Sequence, residues 1–510
     1  EQDISSFGGG NFVGSYIRNL AGVSWIAGND IYYKNFTGTS TVNGANESGG
    51  FSEANGTGIL GLALDVDAGT IKYYWNNSLV RTDSTLTANI EYFAHTNLTN
   101  SGGNIWQLAY FNFGQDSSFA GTKTAAGNTD ANGNGDFFYA VPSGHLALCT
   151  DNLSEPTIGP NSGTDEQSDD YFNTVTWTGN ATDRDITDVG FKPDWVWTKS
   201  TSVANSHYIF DSSRGVLKSL ESDNTEAEST TADSLEAFLS NGFSLGTDNN
   251  VNANGVTFVG WNWKANGGTT TTNDASATSV GSIDSVYQAN TEAGFSIVQY
   301  ETNSGTSGSA QTVAHGLSQA PTFMIVKSRD QAGTGWMTYY GDNTDYVLLN
   351  SSGATIDGAS TWNDTSPTNT VFSIGTNGGD TNNTNGGSMI AYVFHDVEGY
   401  SKFGSYVGNG SDDGVFLHTG FSPAFIMIKR YDTTMNWVML DNKRDPINIA
   451  TNSILFTDLQ EAANAGANKY FDFVSNGFKF RGTSAAVNAS GAAHLYMAFA
   501  ENPFKYANAK

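Results

Sequence analysis

A short pattern that returns three times constrains this chain of 510 residues more than anything else in it. The copies read Gly190-Phe-Lys-Pro-Asp-Trp-Val-Trp-Thr-Lys199, Ala320-Pro-Thr-Phe-Met-Ile-Val-Lys327 and Gly420-Phe-Ser-Pro-Ala-Phe-Ile-Met-Ile-Lys429. Pro precedes Lys by six positions each time, with five mostly apolar residues between them. A proline that opens a strand gives up an N–H where the ladder needs it least. A short run apolar on both faces reads as a strand central to a two-layer core.

The segments downstream of each copy repeat as well. Asp211 and Asp441 lie 18 residues after their prolines, and Tyr339 takes that offset in the middle copy. The outer copies continue as Asp211-Ser-Ser-Arg214 and Asp441-Asn-Lys-Arg444. Gly-Phe strands come next at Gly242-Phe243 and Gly477-Phe478, with Val371-Phe372 in the middle copy. Aromatic strands close the copies, ending at Trp263, Phe394 and Phe499, which lie 70, 73 and 76 residues after the prolines. Opening strands are expected at Thr174–Trp177, Phe295–Tyr300 and Lys402–Val407. Two short helices are expected as insertions, over Thr231–Leu239 and Asp458–Ala463.

The expected division is a sandwich over 1–155, a linker over 156–170, a first module over 171–266 and a linker over 267–290. A second module over 291–398 and a third over 399–510 complete it. Each module has the size at which two sheets close a core.

Composition agrees with an all-β chain of tandem antiparallel sandwiches, jelly-roll or lectin-like, with few short helices. There are 58 Gly with abundant Asn, Thr and Ser, while 31 Phe, 22 Tyr and 11 Trp supply apolar surface to bury. The net charge of −28 and the lack of a Lys/Arg cluster argue against nucleic acid and against anionic membranes. No stretch approaches the 18 apolar residues of a spanning helix, so membrane insertion is not expected. The single cysteine, Cys149, excludes an internal disulfide and reads as a small buried hydrophobe on a strand. The chain begins at Glu1 rather than Met, which leaves open a processed start or a longer parent.

The first 155 residues carry a resemblance of their own. Gly61-Leu-Ala-Leu-Asp-Val-Asp67 and Thr70-Ile-Lys-Tyr-Tyr-Trp75 flank a Gly-containing turn as a hairpin. Trp106–Gly114 and His145–Thr150 read as further strands around a polar tract, Thr122–Asp136. The hairpin and Asn112-Phe-Gly-Gln115 resemble those of SPRY domains, and Ala140–Thr150 resembles the tail such domains carry in bacteriophage structural proteins. Beyond it, "GFKPDWVWTKS", "DSSRG", "VEGYSKFGSYVGNG", "GFSPAFIMIKR" and "MAFAENPFKYANA" resemble segments of large virion proteins of marine bacteriophages, tail-fibre-like or of unknown function. The resemblance implies a virion-surface, extracellular location and other virion proteins as partners, with host glycans as a second class. It also makes a homotrimer the natural assembly.

Residues that carry chemistry are sparse. A concanavalin-type glycanase needs paired carboxylates, and the nearest string, Asp65-Val-Asp67, lacks a Glu partner and reads as a turn cap. Thr306-Ser-Gly-Ser309 has no strand-to-helix elbow, and the seven His form no metal pattern. Asp130, Asn132, Asn134 and Asp136 place oxygens at alternate positions, as a calcium loop does. Val141 stands where that loop needs a bidentate Glu, so a plain polar loop is the preferred reading and calcium the alternative. No cofactor is expected. Asp211–Arg214 and Asp441–Arg444 read first as internal salt bridges and second as a carbohydrate- or carboxylate-reading pair. Trp75, Trp106, Trp336 and Trp437 fall in strand-like runs, so packing is their default and sugar stacking the alternative.

The sequence therefore favours a non-enzymatic virion-surface structural protein, a tail-fibre or adhesion component or a capsid appendage. A secreted bacterial lectin-like adhesin or matrix filament is the alternative, and a polysaccharide depolymerase a weaker third.

Overall fold

The computed structural model describes residues 59–65, 68–84, 110–152 and most of 158–501, leaving out 160–165, 303–308, 377–379, 382–386, 445–452 and 466–470. It also gives the backbone of strands Val13–Ile17, Ala21–Ile26, Asp30–Asn35 and Ala94–Asn97, which form one antiparallel sheet. The chain is all-β: its sheets are antiparallel, and the described residues hold three helical turns of four residues each. It divides into two compact units, Glu1–Ser154 and Glu155–Lys510.

In the first unit the hairpin forms as expected. Leu60–Asp65 pairs with Thr70–Trp75, and Ser78–Asp83 adds a third strand. The turn is held by Asp65, whose carboxylate accepts the Ala68 N–H at 2.8 Å. Asp67, the start of the expected strand at Trp106 and the side chain of Trp75 lie outside the described residues. Among the described residues the other expected strands do not form. Residues 110–152 are a loop knot with one isolated bridge, Asn128–Phe137, and Cys149 is half-buried in a bend rather than buried on a strand. Side chains that outcompete ladder bonding explain it. Asn112 accepts the Gly114 and Asp116 N–H groups, and Gln115 accepts from Phe113 while donating to Phe111.

In the second unit every copy of the repeat folds alike. Opening, closing, signature and third strands stand side by side in that order. In the first module they are Phe172–Thr178, Thr257–Trp263, Trp195–Ser200 and Tyr208–Asp211. The second module uses Phe295–Glu301, Ser388–Phe394, Phe323–Ser328 and Met337–Tyr339. The third uses Ser401–Val407, Ala493–Ala500, Pro423–Arg430 and Val438–Asp441. A smaller sheet with the Gly-Phe strand, Gly242–Leu245, Val371–Ile374 or Gly477–Phe480, covers one face. Glycine is needed at 242 and 477, because a Cβ there would run into the carbonyls of Ile186 and Leu417.

Both expected insertion helices are absent. Leu235–Leu239 is a strand paired with Gly242–Leu245, and 458–463 is irregular chain. Tertiary pairing overrides the helix formers Leu235, Glu236 and Ala237, because the Gly-Phe strand offers a ladder. The tract 267–290 carries strand Thr271–Asn273, a helical turn at Ala275–Thr278 and strand Ser285–Asn290. That last strand adds to the second module's opening strand, so the tract folds onto the module as an arm.

Alternation along the signature strands explains why both their faces are apolar. Val196, Met324 with Val326, and Ile426 with Ile428 face the small sheet of their own module. Trp195 with Trp197, Phe323 with Ile325, and Phe425 with Met427 face the other way, into one core shared by all three modules. Trp195 stacks on Tyr392 of the second module at 4.5 Å between ring centres. Phe323 packs on Phe403 of the third, and Trp263 on Phe425 and Phe499. Every module thus touches both others, and the ring of three is closed.

Candidate functional site

Charged and polar groups that the repeat places at its seams come first, because burying a charge demands a partner. The signature lysines, Lys199, Lys327 and Lys429, are at most 1% exposed. Each ammonium bonds carbonyls from two modules. Lys199 donates to Ser200 at 2.8 Å and to Gln460 of the third module at 3.3 Å. Lys327 donates to Thr334 at 3.0 Å and to Thr225 of the first module at 3.4 Å. Lys429 donates to Met435 at 2.5 Å and to Ser352 of the second module at 3.0 Å. Burial brings each of these ammonium groups down to a pKa of about 8.

A ring N–H repeats the same cyclic pattern one strand away. Trp336 donates to the Glu221 carbonyl at 2.8 Å, and Trp437 to that of Leu348 at 2.9 Å. In the first module the position is His207, whose Nε2 lies 2.8 Å from the Phe456 carbonyl. Trp197 donates its indole N–H to His207 Nδ1 at 3.0 Å, which makes Nδ1 the acceptor and puts the ring proton on Nε2. The acceptor carbonyls pair as Glu221 with Thr225, Leu348 with Ser352 and Phe456 with Gln460, four residues apart each time. The lysines stand out in the sequence as a pattern, but their task does not. The acceptors carry no residue-type signal, because a carbonyl belongs to every residue.

The two Asp–Arg turns are internal salt bridges. Arg214 Nε lies 2.5 Å from Asp211 Oδ2, and Arg444 Nε lies 2.6 Å from Asp441 Oδ2. Each carboxylate also takes a donor from the next module. Tyr392 O–H donates to Asp211 at 2.8 Å, and Trp261 Nε1 donates to Asp441 at 3.1 Å. Glu228 joins the first seam by accepting from Arg214 at 3.3 Å and from Arg329 of the second module at 2.9 Å. These groups are saturated by protein partners. Trp336 and Trp437 are fully buried as well, so their indoles pack rather than offer a sugar platform.

The expected calcium-loop residues come together around a different centre. Asp130 Oδ1 accepts the backbone N–H groups of Asn132 and Asn134, both at 2.9 Å. Its Oδ2 accepts from Ala147 N at 2.8 Å and Asn152 Nδ2 at 2.6 Å. Asn132 and Asn134 turn their amide nitrogens to Asn152 Oδ1, both at 2.9 Å, and Asp136 accepts from Ser117. Desolvation pushes the Asp130 pKa up, but the donors from Ala147, Asn134, Asn152 and Asn132 outweigh it and bring it to about 2. A carboxylate ringed by four N–H donors does the work of a turn. Ser309 is described, but 306–308 lie outside the described residues.

Two concavities stand out among the described residues. In the first unit a cleft of about 490 Å³ is aromatic, with Tyr110, Phe111 and Phe113 partly exposed on it. In the second unit a cleft of about 520 Å³ is lined by the 272–286 arm and by residues 299–301, 329 and 388–389 of the second module. Ser276, Asp284, Gln299, Glu301, Arg329 and Ser388 line it. Arg329 is fixed there by two bonds to Glu228 and one to Gln299 at 3.0 Å. Among the described residues, neither of the other two modules adds such an arm to its opening strand.

Residues 167–503 match the family described as Domain of unknown function (DUF7483). The match covers more than half of the chain. The chain belongs to this family. No curated protein matches it, and no solved structure does. The DUF7483 span begins just before the first module's opening strand and ends just after the third module's closing strand. The family unit is therefore the whole ring rather than one sandwich.

Proposed function

We propose that this chain is a non-enzymatic structural component of a virion surface, a tail-fibre, adhesion or capsid-surface protein. On this reading the DUF7483 ring is a stiff display body, and the N-terminal unit is a SPRY-like, lectin-type sandwich. Other virion proteins are the partners, and host glycans are contacted from loops and from the cleft beside Arg329. One observation carries the reading. The charged groups that recur with the repeat, the three lysines and two Asp–Arg pairs, are all spent on holding one module to the next. A body so cross-linked suits load-bearing and display. Assembly of the whole chain as a homotrimer, which the sequence resemblance implies, is part of this reading.

Cryo-electron microscopy of the particle that carries the chain tests this. Density for the ring at a tail or in regular copies on a capsid supports the proposal and says which role applies. A cell-derived filament or a free secreted monomer overturns it in favour of a bacterial adhesin. Hydrolysis of a polysaccharide by the purified chain overturns the non-enzymatic part.

A further inference from the structure

Three modules on one chain can close into a ring in two cyclic orders. The structure uses one of them: the second module donates to the first, the third to the second and the first to the third. The lysine latch does not choose between the orders, because each module carries both its lysine donor and its acceptor carbonyls. The seams differ elsewhere. At the first seam Tyr392 meets the Asp211–Arg214 pair, and Arg329 meets Glu228. The seam between third and first modules joins Trp261 to Asp441–Arg444. Between second and third modules the described residues hold no ion pair of this kind. Tyr339 turns to Trp362 in its own core, and Tyr340 packs at a tilt against Tyr431 with ring centres 5.2 Å apart.

We propose that the buried Asp211–Arg214 and Asp441–Arg444 pairs, with Glu228–Arg329, are address labels that fix the cyclic order of the modules. In the reverse order the third module would dock on the first. Met497, which stands where Tyr392 does in the repeat, would then face Asp211, and Tyr431 would replace Arg329 before Glu228. The first module would dock on the second, bringing the Trp261 indole to Tyr340, which the strand register puts where Asp211 and Asp441 stand, instead of to a carboxylate. Arg329 would arrive on the third module without Glu228. Each mismatch takes a partner from the next module away from a buried charge or donor, which is how polar groups impose register at a cost in stability. The rival account is mechanical. The six-residue connection His395–Tyr400 between second and third modules would set the order by its length alone.

A disulfide trap at the unlabelled seam separates the two. Met435 N donates to the Ser352 carbonyl at 2.8 Å there, so Ser352→Cys with Met435→Cys, on a Cys149→Ser background, reports that the third module sits on the second. The full chain is unfolded in denaturant and refolded under oxidising conditions. With native labels the trap closes in nearly every chain. With D211N, R214M, E228Q, R329Q, D441N and R444M together, closure falls to about half while the circular dichroism stays that of β-sheet, as two orders of similar energy compete. Should that chain not refold, D441N/R444M alone and E228Q/R329Q alone are each expected to give intermediate closure. Closure as complete as with native labels, in any refolded variant set, overturns the proposal in favour of the tether.

Discussion

The Tyr392 hydroxyl donates to the Asp211 carboxylate at 2.8 Å, although the two residues lie 181 positions apart and in different modules. Arg214 lies on the same carboxylate oxygen, and all three side chains are buried. Removing the tyrosine oxygen and removing the guanidinium are therefore very different injuries. Tyr392→Phe leaves Asp211 one donor short and is expected to cost about 1–3 kcal/mol. Arg214→Met leaves a buried carboxylate without its cation and is expected to cost about 3–5 kcal/mol. Denaturant titration of the full chain checks the order of the two. Equal losses would show that the ion pair is not what the carboxylate depends on.

The three seam lysines set an alkaline signature. Burial lowers each to a pKa of about 8, against an ordinary lysine near 10.4 in the unfolded chain. Between these values the unfolded chain binds more protons than the folded one, so stability rises as pH climbs from about 8 towards 10. Unfolding midpoints measured across that range should shift upwards. Lys327→Met should reduce the rise, and should cost about 1–3 kcal/mol at pH 7 by leaving the Thr334 and Thr225 carbonyls without their donor.

His207 sets the acid side. Burial first, then the neighbouring Lys199 and Arg444 charges, hold its pKa well below the ordinary value, although the Phe456 carbonyl pulls the other way. The unfolded chain takes up a proton below about pH 6.5 that the folded ring refuses, so this residue's contribution falls as pH drops. Asp458 opposes it. Desolvation raises that carboxyl to about 6, so the folded chain binds the extra proton as pH falls from there. The whole-protein profile therefore mixes two signs, and the variant isolates one. The stability difference between wild type and His207→Gln should move in the variant's favour below pH 6.5, by at most about 1.4 kcal/mol per pH unit. A difference that stays flat down to pH 5 would mean that His207 is not neutral in the ring.

Asp130 is expected to act through its four N–H donors. Asp130→Ala should expose the 110–152 knot to protease cleavage while leaving the DUF7483 ring's unfolding unchanged. Its folded pKa of about 2 lies below the ordinary aspartate value, so its stabilising part is present above about pH 4 and is lost as pH falls towards 2. Because the carboxylate is already engaged, millimolar calcium should leave the protease pattern of the wild-type chain unaltered. Protection by calcium would revive the ion-loop reading.

Much of the second unit is legible in the sequence. The Pro-to-Lys pattern locates all three signature strands, and the offsets of 18 and of 70 to 76 residues locate third and closing strands. The internal character of the Asp–Arg pairs follows from their recurrence. Other expectations fail for a physical reason. Leu235–Leu239 has helix-forming composition, yet a neighbouring strand with free ladder groups captures it. His145–Thr150 alternates like a strand, yet Asp130 and Asn152 bind its backbone at Ala147 and so replace the ladder.

By itself the sequence determined the all-β class, the threefold repeat and the strands that carry it, because period-two alternation and turn residues act over a few neighbours. It even recorded the outcome of packing, since signature strands that are apolar on both faces have two faces to bury. Only the tertiary structure decided what the second face meets. Trp195 finds Tyr392, Phe323 finds Phe403, and each lysine finds a carbonyl in another module. Such partners are chosen by ring closure between modules far apart in the chain, and backbone carbonyls leave no mark in a list of side chains.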